Sequence, residues 1–178
     1  MSAEQYRVIH RWFDVHPRIC RGVILLDRWL PLVPFVCYPV LLVLLNVRLV
    51  GLARYGGQPV AAFMPEIARA ILVPGFTFWG GTILRARLNA PRPYEQPGFV
   101  PLVAKETVGH SFPSRHALSA AVLSAVWLYF YPAAGGAMVG ITVLICVLRV
   151  LTGVHHVRDV LCGAALGFAL GAAGMWLL

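Results

Sequence analysis

Long apolar stretches, broken by short clusters of charge, constrain this 178-residue chain more than any other feature. They run Trp29–Leu45, Val60–Leu84, Ala117–Tyr131, Gly135–Leu148 and Val160–Leu178. Crossing roughly 30 Å of hydrocarbon takes about 20 mostly apolar residues in a helix, because a helix satisfies its own backbone polar groups where no water can. Charged residues make up 12% of the chain and hydrophobic ones 59%, with a mean hydropathy of +0.75. Soluble domains carry about a quarter charged residues. The expected fold class is all-α: a polytopic membrane bundle of about five transmembrane helices, residues 1–178 forming a single domain.

Residues 1–28 hold Arg7, Arg11, Asp14, Arg18, Arg21, Asp27 and Arg28, too many charges to span. With Ile9, Trp12, Phe13 and Val15 interleaved, they predict an amphipathic helix lying at the interface. The first residues lack the form of a signal peptide, so insertion is expected to use the first transmembrane helix itself. Pro31, Pro34 and Pro39 bend the first span, and Asn46–Pro59 reads as a polar turn. Glu66 and Arg69, three apart on the second span, share a face and are expected to pair. Gly163, Gly167 and Gly171 give the last span a small-residue face for close packing. Cys20, Cys37, Cys146 and Cys162 show no metal or redox spacing and read as small apolar residues. The net charge of +8 points to anionic partners; with no nucleic-acid module pattern, these are lipids of the bilayer and not nucleic acid.

Three polar clusters remain. The first is Arg85–Pro93 with Arg85 and Arg92, the second Ser111–His116, and the third Arg149, His155 and Asp159. The first follows the second span, the second precedes the third span, and the third lies between the fourth and fifth. Because spans alternate in direction, all three fall at one face of the membrane, with residues 85–116 forming an active-site loop region.

The side chains suit phosphate chemistry. A carboxylate that accepts from one imidazole nitrogen fixes the tautomer and leaves the other nitrogen to attack, and His155 and Asp159 are one helical turn apart. Arg149, beyond a short turn, can clamp phosphate bidentately. His116, at a helix start after Pro113-Ser114, is placed for general acid work beside outward-pointing N–H groups. Each feature alone has an ordinary structural explanation in capping or interfacial anchoring; their order, spacing and shared face set them apart.

Arg85-x6-Arg92-Pro93, Pro113-Ser114-Arg115-His116 and Leu148-Arg149-x5-His155-x3-Asp159 together resemble the three-part signature of the type-2 phosphatidic acid phosphatase superfamily of membrane lipid phosphatases. That resemblance covers residues 85–159. It implies that His155 is the nucleophile of a phosphohistidine intermediate, Asp159 its orienting partner and His116 the general acid. It also implies that Arg85, Arg92, Ser114 and Arg149 bind phosphate and that no metal or other cofactor is used. Three positions depart from the signature: Arg85 stands for lysine, Leu148 for serine and Arg115 for glycine. Arg115 adds a cation where a second phosphate of the substrate would lie.

The expected substrate is a polyprenyl (pyro)phosphate or a glycerophospholipid phosphate in a cell membrane. Transfer of the phosphoryl group to another acceptor, or non-catalytic lipid binding and transport, are the alternatives. Five arginines before residue 29, against Arg48 and Arg54 on the other side, would set the site in the cytoplasm, whereas bacterial relatives resemble enzymes whose site faces outward.

Overall fold

A computed structural model of the chain describes residues 3–57 and 59–178; Met1, Ser2 and Gln58, which belong to the expected interfacial helix and polar turn, lie outside the described residues. Among the described residues the regular structure is helical throughout. Its α-helices are α1 (Ala3–Asp14), α2 (Pro17–Trp29), α3 (Leu32–Tyr55), α4 (Met64–Leu88), α5 (Arg115–Phe130), α6 (Pro132–Leu151) and α7 (Val157–Ala172).

Instead of one interfacial helix, the N-terminal segment forms two, parted at Val15-His16 ahead of Pro17, which opens α2. Proline has no N–H to continue a preceding helix but fits a first turn. Tyr6 and Phe13 turn inward and are buried, while Val8, Trp12, Val15 and Ile19 stay exposed as an outer apolar stripe. The polar turn expected from Asn46 is also shorter than the composition suggests. α3 continues to Tyr55 because Leu41, Leu45 and Leu49, one turn apart, keep one face buried, and Asn46 donates its amide to Leu42 O at 2.8 Å within the helix.

α5 is the hub. Ala117 to Trp127 are buried without interruption, and the helix packs against α3, α4, α6 and α7. At about 1.5 Å per residue its 16 residues run only about 24 Å, and it meets little lipid. Among the described residues, the stretches long and apolar enough to cross a membrane are Pro17–Tyr55, Val60–Glu95, Pro132–Leu151 and Val157–Leu177. Phe35, Val36, Val43, Phe76, Trp79 and Leu161 are among many large apolar side chains left exposed on them, as a lipid-facing surface requires. The chain is a multi-pass membrane protein.

The glycines of α7 make the seam with α5. A Cβ on Gly163 would lie 2.6 Å from Ser114 O, one on Gly171 2.6 Å from Ala125 Cβ, and one on Gly167 would collide with Leu118 O. Backbone therefore meets backbone along the seam. Ser124 Oγ and Thr142 Oγ1, 2.9 Å apart, join α5 to α6.

Glu66 and Arg69 do not pair among the described residues. Arg69 Nη1 instead donates to Met175 O at 3.2 Å, with the guanidinium 5.8 Å from the Tyr129 ring. The carbonyls that end a helix lack intrahelical partners, and an arginine across the bundle supplies one.

Candidate active site

The end of α4 and the start of α5 are tied together before any catalytic side chain is considered. α4 closes on Asn89, in the left-handed conformation with φ 38°. Asn89 Oδ1 accepts from His110 N at 3.3 Å, and Ala90 O accepts from Ser111 N at 2.9 Å. Glu95 adds a second tie: its Oε1 accepts from Arg92 N at 2.8 Å and from Gly109 N at 2.7 Å. Arg92 is buried and spends Nε on Gly109 O at 2.9 Å, which leaves its two terminal nitrogens for other partners. The first two sequence clusters are thus one structural unit.

The third cluster joins it through α7. Gly163 lets α5 approach until Ser114 N donates to Asp159 O at 2.9 Å. The Phe112–Pro113 peptide just before it is cis. His155 does not share a helical face with Asp159, as their spacing suggests. It lies in the turn between α6 and α7, and His156 is the N-cap of α7. Gly153, at φ +75°, turns the chain, and Val154 N and His155 N both donate to Arg149 O, at 3.2 and 3.1 Å. Asp159, at the third position of α7, accepts from His156 N at 3.0 Å in a reciprocal cap. The same Asp159 Oδ2 faces His155 Nδ1 at 3.6 Å and accepts from Ser111 Oγ at 2.5 Å. The turn, not the helix, brings imidazole and carboxylate together, with Nε2 as the ring's other nitrogen.

His155 is 2% exposed. Burial, opposed by the hydrogen bond and charge of Asp159 and reinforced by Arg92 and Arg85, lowers its pKa to about 4. The ring is therefore neutral at neutral pH, the state a nucleophile needs. His116, on the first turn of α5, has its pKa lowered to about 3, first by burial and then by the charges of Arg149, His155, Arg115 and Lys105; a phosphoryl dianion beside it offsets those charges and favours the imidazolium.

The arginines fall into two groups. Arg85, Arg92 and Arg115 line one cavity of about 360 Å³, with Thr82, Thr107 and His110. Arg115 is exposed on its wall, its guanidinium 5.9 Å from the Phe78 ring. Arg149 lies outside that lining, 5% exposed, with Nη1 on Asp27 Oδ2 and Nη2 on Asp27 O, each at 3.4 Å. Among the described residues, Arg149 Nε and Ser114 Oγ are buried with no hydrogen-bond partner, as are the carboxylate oxygens Asp27 Oδ1 and Asp159 Oδ1. Buried donors normally find an acceptor, and two free ones in a cationic site suit an anion. Leu148 is buried, and its carbonyl accepts from both Thr152 N and Thr152 Oγ1 at 2.9 Å. Below the site, an apolar groove of about 360 Å³ runs between α6 and α7, bounded by Val143, Val147, Val150, Val157, Leu161 and Phe168. Among the described residues no group of three or more His, Cys, Asp or Glu is arranged to hold a metal ion.

The fold brings His116, His155, Asp159, Arg85, Arg92, Ser114, Arg115 and Arg149 to one end of the bundle. Sequence reasoning missed Ser111, Glu95, Lys105 and Asp27. Ser111 stood inside the second cluster without a role. Asp27 was read as one more interfacial charge, although it is 4% exposed.

The fold and the sequence each resemble known proteins. The crystal structure of Aquifex aeolicus LpxE superposes with a TM-score of 0.61 at 20% identity, covering 97% of this chain and 93% of that one, and so shares the fold. The first transmembrane PAP2 type phosphatidylglycerolphosphate phosphatase from Bacillus subtilis gives a TM-score of 0.48 at 24% identity, over 95% and 90% of the two chains. A search of curated proteins finds no significant match. The sequence profile of the PAP2 superfamily matches residues 67–178, from early α4 through α7 and so across all three clusters, and the chain belongs to that superfamily.

Proposed function

We propose that this protein hydrolyses a lipid phosphate through a phosphohistidine. The observation that carries this reading is His155 Nδ1 facing Asp159 Oδ2 at 3.6 Å at the same end of the bundle as two buried donors, Ser114 Oγ and Arg149 Nε, that have no partner among the described residues; burial, which lowers the His155 pKa to about 4, supports it. His155 Nε2 attacks phosphorus, and the P–O bond to the lipid breaks. His116, charged once the phosphoryl dianion offsets its cationic neighbours, delivers a proton to the departing oxygen. Water then attacks the phosphohistidine, passing its proton to His116 and releasing inorganic phosphate. Arg85, Arg92, Arg149 and Ser114 neutralise and orient the phosphoryl oxygens, which is most of what phosphoryl transfer requires of a protein.

The cavity lined by Arg85, Arg92 and Arg115 favours a lipid diphosphate of the polyprenyl type over a glycerophospholipid monophosphate, because Arg115 adds a third cation to a space of about 360 Å³, more than one phosphate fills. Membership of the PAP2 superfamily keeps the glycerophospholipid class as the comparison substrate. The cell membrane is the proposed location. Tyr6 on α1 donates to Leu151 O at 2.9 Å, so the arginine-rich N-terminal segment packs on the site's own side.

The test is phosphate release by purified protein in detergent with a chelator present, screened over polyprenyl diphosphate, polyprenyl monophosphate, phosphatidic acid and phosphatidylglycerophosphate. Release without added metal is expected, and His155→Ala and His116→Ala should each abolish it. Full activity in either variant would sink the mechanism.

A further inference from the structure

The N-terminal helices α1 and α2 precede residues 67–178, which the family profile matches, yet they hold the segment that carries Arg149 and His155. Asp27 on α2 and Arg149 on α6 are 122 residues apart in sequence and both buried, at 4% and 5% exposure. Charges this deep in an apolar bundle persist by pairing. The pairing is directional. Both terminal nitrogens of Arg149 face Asp27, and Nε, on the remaining edge of the plane, is the unpartnered atom. A planar fork anchored along one edge presents the other in a fixed orientation, which a flexible arginine does only at an entropic cost.

The neighbourhood reinforces the grip. Tyr6 Oη donates to Leu151 O at 2.9 Å and accepts from Leu102 N at 3.2 Å, and its ring stacks on Phe99 at 4.3 Å. Both rings close on Gly153, where a Cβ would lie 2.8 Å from Tyr6 Oη and 3.0 Å from Phe99 Cε1. α2 therefore fixes Arg149 while α1 fixes the turn that follows it. Lys105, in the loop before α5, lies within electrostatic reach of both Asp27 and Arg149 and adds no second carboxylate to compete for the guanidinium.

We infer that Asp27 is a positioning residue for phosphoryl transfer: through Arg149 it aims the Nε edge at the transition-state phosphoryl group. This rests on the phosphatase reading above. Aim matters most where geometry is most demanding, so its loss falls on kcat and on a trigonal-bipyramidal analogue more than on substrate affinity.

The experiment compares the parent with Asp27→Asn, Asp27→Glu, Arg149→Met and the double variant Asp27→Asn/Arg149→Met. Readouts are kcat, KM, orthovanadate binding by calorimetry, and melting temperature. Asp27→Asn should lose about tenfold or more in kcat and in vanadate affinity, with KM changed less than about threefold. Asp27→Glu, which keeps the charge on a longer arm, should recover part of the loss and serves if the asparagine variant does not fold. On the Arg149→Met background Asp27→Asn should cost nothing further, because its only route is removed. Parental kcat and vanadate affinity in Asp27→Asn would overturn the inference, as would a full additional loss on the Arg149→Met background. No phosphate release by the parent, with vanadate binding still weakened in Asp27→Asn, would remove the phosphatase reading and leave the Asp27–Arg149 relation standing.

Discussion

Asp159 Oδ2 faces His155 Nδ1 at 3.6 Å and accepts from Ser111 Oγ at 2.5 Å, so one carboxylate oxygen serves imidazole and hydroxyl at once. Ser111 Oγ is also 3.4 Å from His155 Nδ1, which closes the three groups into a buried set. Ser111→Ala removes the hydrogen bond that holds the carboxylate. It should lower kcat by about tenfold, roughly the worth of one hydrogen bond to a charged group, with folding retained. Ser111→Thr should be nearer the parent. Steady-state kinetics on the preferred lipid decide it, and an unchanged kcat in Ser111→Ala would mean that the cap from His156 orients Asp159 alone.

The depressed pKa of His155 gives a pH signature. Folded, it titrates near 4, against an ordinary 6.5. Protonation therefore favours the unfolded chain, so the contribution of neutral His155 to stability is complete above about pH 6.5 and is lost as pH falls toward 4. The shift corresponds to roughly 3 kcal/mol. The parent should lose more melting temperature between pH 7 and 4.5 than His155→Asn, which cannot titrate. Parallel pH profiles for the two proteins would contradict the shift.

The α5–α7 seam predicts a steep contrast among glycine-to-alanine changes. Gly167→Ala drives a methyl into Leu118 O and should cost about 2–3 kcal/mol or more, since backbone cannot step aside as a side chain can. Gly163→Ala meets Ser114 O and should lower activity as well as stability. Gly22→Ala and Gly75→Ala have open space and should be neutral. Thermal unfolding in one detergent separates the groups, and equal effects at Gly167 and Gly75 would refute the packing account.

Arg115 separates the two substrate classes. Its removal from the shared cavity with Arg85 and Arg92 should raise KM for a polyprenyl diphosphate by about tenfold and leave a monophosphate within about twofold. Competition kinetics with the two lipids on Arg115→Ala measure the ratio. Equal losses on both would assign Arg115 to the reacting phosphate instead.

Much of the site could be read from the chain because its residues fall in three short clusters, and the alternation of apolar stretches places those clusters at one face. The glycine interval on α7 likewise foretold a tight seam. What could not be read was contact without local pattern. Asp27 reaches Arg149 across 122 residues, and nothing in the charge-rich N-terminal segment marks it apart from Asp14. Spacing put His155 and Asp159 on one helix, but a glycine turn and a reciprocal cap bring them together. Arg69 reached a distant carbonyl at Met175 in place of its neighbour Glu66. Asn46 and Arg48 suggested that α3 stops, whereas the four-residue repeat of Leu41, Leu45 and Leu49 carried it past Leu45 to Tyr55.

The glycines of α7 also decide what has no way in. The seam with α5 has no room for a single added methyl at Gly163, Gly167 or Gly171, so no acyl or prenyl chain can thread it. A lipid substrate would therefore reach His155 by another route, and the apolar groove between α6 and α7 offers one.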